Sequence, residues 1–217
     1  MGLTMPPEML WSMFSRAGFG APPRSGFPGE VSGRLRAHGT WKPIEQATMS
    51  YGYGISVSLM QLARAYTIFA SDGVLYPVTL LKRDGPPEGT QVVSAKTAQA
   101  VRRMLEMAAQ PGGTAPGAQV AGFTVAGKTG TAHKLEGKGY ATNRYVSSFV
   151  GMAPASKPRI IIAVMIDEPN AGKHFGGLVA APVFASVASS ALSSLNVPPD
   201  ASITNVIIPA EPIAESM

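Results

Sequence analysis

The chain has 217 residues, 45% of them apolar and 14% charged, which suffices for one domain with a core or for part of a larger one, and is too apolar for a disordered chain. Its 24 glycines and 19 prolines are spread among apolar segments, a pattern of strands and turns and not of a helical bundle. The net charge of +5 is scattered, which reads as solvated surface and argues against a nucleic-acid-binding face, and the absence of cysteine excludes disulfides and thiolate metal sites.

A first helix is predicted over about Pro6 to Ala17, with Thr4 and the prolines as start signals, Met9, Leu10, Met13 and Phe14 as the apolar face, and Gly18 as the stop. Residues 18–50 are rich in Gly and Pro and read as irregular, either a long ordered loop or a linker. The clearest helix runs from Ser58 to Ser71. Ser58 and Gln61 have capping-box spacing, and Leu59, Leu62, Ala63, Tyr66 and Phe69 keep the helical period. A third helix is expected from Ser94, carrying Ala98, Val101, Leu105 and Ala108 on one face and ending at Pro111-Gly112-Gly113. Phe123 to Ala132, Tyr145 to Met152 and Ile160 to Ile166 read as strands, and a last helix covers about Pro182 to Leu195. The tail beyond it, 199–217, reads as disordered. No apolar stretch is long enough to span a bilayer, and the start, Met1-Gly2-Leu3-Thr4, is not a signal peptide, so any export signal or anchor of the parent protein is expected upstream.

Chemistry concentrates at Gly122-Phe123-Thr124-Val125-Ala126-Gly127-Lys128-Thr129-Gly130-Thr131. Gly122 to Thr129 satisfies the phosphate-loop string G-x-x-x-x-G-K-T, and Ile160 to Asp167 imitates an apolar strand ending in a magnesium-binding aspartate. The context opposes that reading. A phosphate loop needs a buried strand before its first glycine and a helix opening at Lys-Thr, so that helix amides meet phosphate. Gly122 instead follows a Gly- and Pro-rich stretch, and the run from His133 to Asn143 is polar, with no apolar helical face. No helix separates the three strand candidates, as a parallel crossover would require.

Lys128-Thr129-Gly130 is also the K-T-G element of β-lactamases and penicillin-binding proteins. Apolar alternation before it places the lysine on a strand, where Gly130 lets a substrate backbone come close. There an ammonium can stabilise negative charge or move protons, threonine hydroxyls can bind a carboxylate, and a strand amide can face an oxyanion.

Several segments resemble class B penicillin-binding proteins, in the order that family uses. They are Ser25 to Glu30, Ala47 to Val57, Gln61 to Tyr66, Val125 to Ala132, Ser148 to Pro154 and Ile166 to Pro169. Within the family the chain looks most like the division-specific enzymes that cross-link septal peptidoglycan. The resemblance implies an α/β (α+β) penicillin-binding transpeptidase, serine β-lactamase-like fold, with an antiparallel sheet flanked by helices. The chain would supply only part of that domain, residues 1–198. It further implies a serine that attacks the D-Ala-D-Ala bond of a stem peptide, and that β-lactams acylate. No cofactor or metal is expected; His38, His133 and His174 lack ligand spacing. Carried onto this chain, the resemblance gives Lys128 and Thr131 catalytic roles, the lysine in the network around the nucleophile and the Thr131 amide at the oxyanion. Thr129, Gly130, Thr131, His133 and Phe175 would line the substrate site, although for Phe175 packing is an equal reading. The expected partners are stem peptides, β-lactams and divisome membrane proteins, at the periplasmic face of the inner membrane. The departure is large. The family's nucleophile sits in S-x-x-K, and these 217 residues contain none; the one Ser-x-Asn, Ser194-Leu195-Asn196, lies after the K-T-G element. A non-catalytic remnant that binds peptidoglycan or a division partner therefore stays open beside the enzyme piece.

Overall fold

Helix α1 (Pro7–Arg16) starts where Pro7 has no N–H to leave unpaired, with Glu8 in its first turn and Arg16 in its last, both suited to the helix dipole. The computed structural model describes residues 2–85, 87–137, 139–170, 172–204 and 206. The chain separates into two compact units, 1–95 and 96–217.

In the first unit the stretch from 18 to 50 is an ordered loop, not a linker, and it contains a helix that its composition hides. Helix α2 (Pro43–Met49) has only seven residues, too few for a visible period. It is held from outside: Glu45 accepts from the Lys42 amide at 2.8 Å and pairs with Arg36 at 2.7 Å, and Gln46 Nε2 donates to the carbonyls of Gly2 and Met5. Helix α3 (Leu59–Ala70) has the predicted capping box, Gln61 N to Ser58 Oγ at 3.2 Å and Ser58 N to Gln61 Oε1 at 2.8 Å. The same buried Gln61 also donates to the carbonyls of Ala21 and Ser32, each at 2.9 Å, which orders the glycine-rich loop around α3. Strands β1 (Val74–Leu75) and β2 (Thr90–Gln91) form a short antiparallel ribbon, and Ala17, Ala65, Ile68, Leu75 and Val92 make the small core.

In the second unit, helix α4 (Ala95–Ala109) precedes one antiparallel sheet of order β3-β4-β5. Its strands are β3 (Ala126–Glu136), β4 (Gly139–Ala153) and β5 (Ile160–Asp167). Pairing sets Lys128 against Val150, Thr131 against Ser147 and Phe149 against Val164. Side chains alternate between the two faces. One face carries Gly127, Thr129, Thr131, His133, Tyr145, Ser147, Phe149 and the apolar set Ile160, Ile162, Val164 and Ile166 of β5. Helix α6 (Ala181–Ser194), preceded by the single turn α5 (Gly176–Val179), packs here and contributes Phe184, Ala188 and Leu192, all fully buried. The Phe149 and Phe184 rings meet edge-on at 4.9 Å, and a Cβ on Gly127 would strike the Phe149 ring.

Two expectations are corrected in this unit. The strands predicted to end at Ala132 and to start at Tyr145 run on through the polar stretch between them: β3 and β4 continue as a hairpin to Glu136 and Gly139. Neither strand has an apolar face there, so sequence alternation is silent; ion pairs from Lys134 to Asp167 (3.0 Å) and Glu168 (2.7 Å), and from Arg144 to Glu136 (2.6 Å), span the strand ends. The tail read as disordered from 199 is tied down at its start. Val197 is buried, and the Asp200 carboxylate accepts from the Thr124 amide at 2.8 Å and from the hydroxyls of Thr124 and Ser156. The rest of that tail, 205 and 207–217, lies outside the described residues. Among the described residues no helix is long and apolar enough to cross a membrane.

Candidate active-site strand

Strand β3 is an edge strand of its sheet, so among the described residues no strand pairs with the other side of its backbone ladder, the kind of edge that can receive an extended ligand. Lys128 lies exposed on it, on the face turned away from α6. Its ammonium donates to the Thr129 carbonyl at 3.1 Å and to Thr129 Oγ1 at 3.3 Å, both on its own strand. No helix starts at Thr129; the strand runs through it for seven more residues, which removes the helix N-terminus a phosphate loop needs. At Gly130 a Cβ would lie 2.6 Å from Ser148 Oγ, so any larger residue would make the serine side chain turn away.

The two threonine hydroxyls differ. Thr129 Oγ1 receives Lys128 and also faces Thr114 Oγ1 at 3.4 Å. Thr131 Oγ1 accepts the Gly176 amide at 3.1 Å, leaving its own proton to donate. His133 is fixed by its Nδ1 contact with the Ala141 carbonyl at 2.8 Å and by the Tyr145 ring at 4.6 Å. Tyr145 stacks in turn on His174, 4.1 Å apart and 12° from parallel, and His174 meets Phe175 at 4.4 Å. The expected residues Lys128, Thr129, Gly130, Thr131 and His133 thus stand along β3, and Phe175 joins their surface through the ring series. Ser147, Tyr145 and Thr114 carry no sequence signal that points to this site. Ser147 could have been found only from the strand register, because nothing local marks it as Thr131's partner.

The charges at the far end of the strand are structural. Lys134 is held above its usual range by hydrogen bonds to Glu168 and Asp167, as is Arg144 by Glu136. Asp167 and Glu168 are thereby committed to the hairpin. Among the described residues no group of three His, Asp or Glu gathers as a metal cluster would. Tyr51 and Tyr53, in the first unit, pack edge-on against each other at 5.8 Å.

The penicillin binding protein transpeptidase domain family matches residues 1–189. The chain belongs to this family. Among similar transpeptidases, PenA of Neisseria flavescens, a probable peptidoglycan D,D-transpeptidase, is 46% identical over 199 residues, which is 92% of this chain and 50% of the relative. The peptidoglycan D,D-transpeptidase FtsI of Escherichia coli (strain K12) is 40% identical over 204 residues, 94% of this chain and 35% of the relative. The apo structure of the TP domain from Burkholderia pseudomallei penicillin-binding protein 3 is 53% identical with a TM-score of 0.87, and covers 92% of this chain and 61% of that one. The chain therefore spans half or less of these curated relatives, and the transpeptidase fold is recovered here as its antiparallel sheet with α6 against one face.

Proposed function

We propose that this chain forms the Lys-Thr-Gly wall of a peptidoglycan D,D-transpeptidase that cross-links stem peptides in septal wall synthesis. The observation that carries it is the strand itself: Lys128, Gly130 and Thr131 presented on an open sheet edge, with a hydroxyl proton free for a carboxylate. In the reaction a serine supplied by the rest of the domain attacks the carbonyl of D-Ala-D-Ala. The serine O–C bond forms, the peptide C–N bond breaks, and the terminal D-alanine leaves with a proton. An amine of a neighbouring stem then takes the acyl group and releases the serine.

Lys128 would stabilise the charge developing at the attacked carbonyl and share in the proton movements around the serine. Thr131 would donate its hydroxyl to the substrate or drug carboxylate, with Thr129 beside it, and Gly130 would keep the edge clear. Backbone groups alternate in direction along an antiparallel strand. The Thr129 carbonyl, engaged by Lys128, marks the outward set, to which the Thr131 amide belongs as the oxyanion donor. His133 and Phe175 would border the ligand. The proposed setting is the periplasmic face of the inner membrane, among divisome membrane proteins, with β-lactams acylating the same serine.

The second reading is a non-catalytic peptidoglycan- or divisome-binding remnant, which would hold only if no Ser-x-x-Lys segment joins the chain in its parent protein, since these 217 residues contain none. A fluorescent penicillin separates the two. The chain alone should acquire no covalent label. A chimera joining it to the upstream part of the Burkholderia pseudomallei transpeptidase domain should be labelled, on a serine of the added part. A stable adduct on any serine of the chain alone would overturn the assignment of the nucleophile, and a folded but unlabelled chimera would favour the remnant.

A further inference from the structure

The hydroxyl of Thr131 does not stand alone. Ser147, its pairing partner on β4, is fully buried, and its hydroxyl donates to the His174 carbonyl. Two residues further on, the Gly176 amide donates to Thr131 Oγ1 at 3.1 Å. The turn between these two bonds has little freedom. A Cβ on Gly176 would collide with the Ser148 carbonyl and lie 2.8 Å from the Gly130 carbonyl, and the His174 ring is stacked on Tyr145. Two hydrogen bonds and one close backbone approach therefore clamp residues 174–176 onto the pair Thr131–Ser147.

The clamp has a chemical consequence. A hydroxyl has one proton and two lone pairs. With the Gly176 amide on one lone pair, the Thr131 proton is left to point at an acceptor, and among the described residues none takes it. Thr129 has no such arrangement, since its hydroxyl is shared between Lys128 and Thr114. We infer that Ser147 is a positioning residue: by holding the His174 carbonyl it keeps the Gly176 amide on Thr131 and so aims the Thr131 hydroxyl at a ligand carboxylate. The last step rests on the proposed transpeptidase function; the coupling from Ser147 to Gly176 does not.

Two measurements keep these apart. In the 217-residue chain, Ser147→Ala should speed hydrogen exchange of the Gly176 amide by about ten-fold, the size expected for losing one hydrogen bond of ~1.4 kcal/mol, while the Phe149 amide in the middle of β4 keeps its protection. Unchanged Gly176 exchange, or equal loss at Phe149, would overturn the coupling. In the penicillin-reactive chimera, the second-order acylation rate is compared for a β-lactam and for its methyl ester, which lacks the carboxylate. Ser147→Ala should slow the free acid about ten-fold and change the ester less than about two-fold, and it should add little to Thr131→Val. An equal loss for acid and ester would make Ser147 merely structural. If the exchange result holds but the unmutated chimera is not acylated, the coupling stands and the transpeptidase reading fails.

Discussion

Lys128 is exposed and parks its ammonium on the Thr129 carbonyl and hydroxyl, so no buried partner depends on it. Removing it should leave the fold intact and the chemistry damaged. In the chimera, Lys128→Ala is expected to lower the acylation rate by about a hundred- to a thousand-fold, the usual loss for one preorganised group facing developing charge, with no fall in the thermal midpoint. Thr129→Val should cost less, because its proton is turned toward Thr114 and its contribution to a carboxylate is at most one hydrogen bond, worth roughly 1.5–3 kcal/mol when the acceptor is charged. The ordering is decisive: near wild-type acylation by Lys128→Ala would reduce Lys128 to an ordinary strand lysine.

Helix α6 and the sheet depend on each other through a few rings and methyl groups. Phe149 and Phe184 are both fully buried and meet edge-on, and Ala188 and Leu192 continue the contact along the helix. Truncating such a ring leaves a cavity that the surrounding backbone cannot fill, typically at a cost of 3–5 kcal/mol. Phe184→Ala should lower the unfolding free energy of the second unit, read by denaturant titration, by an amount of that order; a loss below about 1 kcal/mol would mean that α6 does not carry this core. The opposite end of the sheet is held differently. Its hairpin relies on exposed ion pairs of Lys134 and Arg144, individually weak and screened by salt, so the register there comes from the ladder and the pairs only support it.

Across the second unit, Asp200 joins three distant segments: the approach to β3 at Thr124, the turn after β4 at Ser156, and the chain beyond α6. Burial alone would push its carboxyl up, but hydrogen bonds from Ser156 and Thr124 outweigh it and hold the group below the usual aspartate range. A carboxylate with a folded-state pKa below its unfolded one contributes fully above the unfolded value and loses that contribution as pH falls through the folded one. The unfolded value is about 3.9. The advantage of the wild-type chain over Asp200→Asn should therefore be constant near neutrality and shrink below about pH 4, read as the difference between their denaturant midpoints. A difference that does not change with pH would show that the charge of Asp200 is not what binds these segments.

By itself the sequence determined the elements with enough length to show a period: α1, α3, α4, α6 and the three long strands, along with the Lys-Thr-Gly-Thr string and the family it resembles. Apolar spacing, caps and breakers are local signals, and these elements carry them within a dozen residues or so. Helix α2 and the β1–β2 ribbon were too short to show a period, and the solvated hairpin end had no apolar face to show one. What only the tertiary structure decided are pairings between residues far apart in the chain: Thr131 with Gly176 over 45 positions, Ser147 with His174 over 27, and Thr124 with Asp200 over 76. Each joins common polar residues whose partner is selected by strand register and helix docking, and those are settled by burial of the whole core, not by any neighbouring side chain.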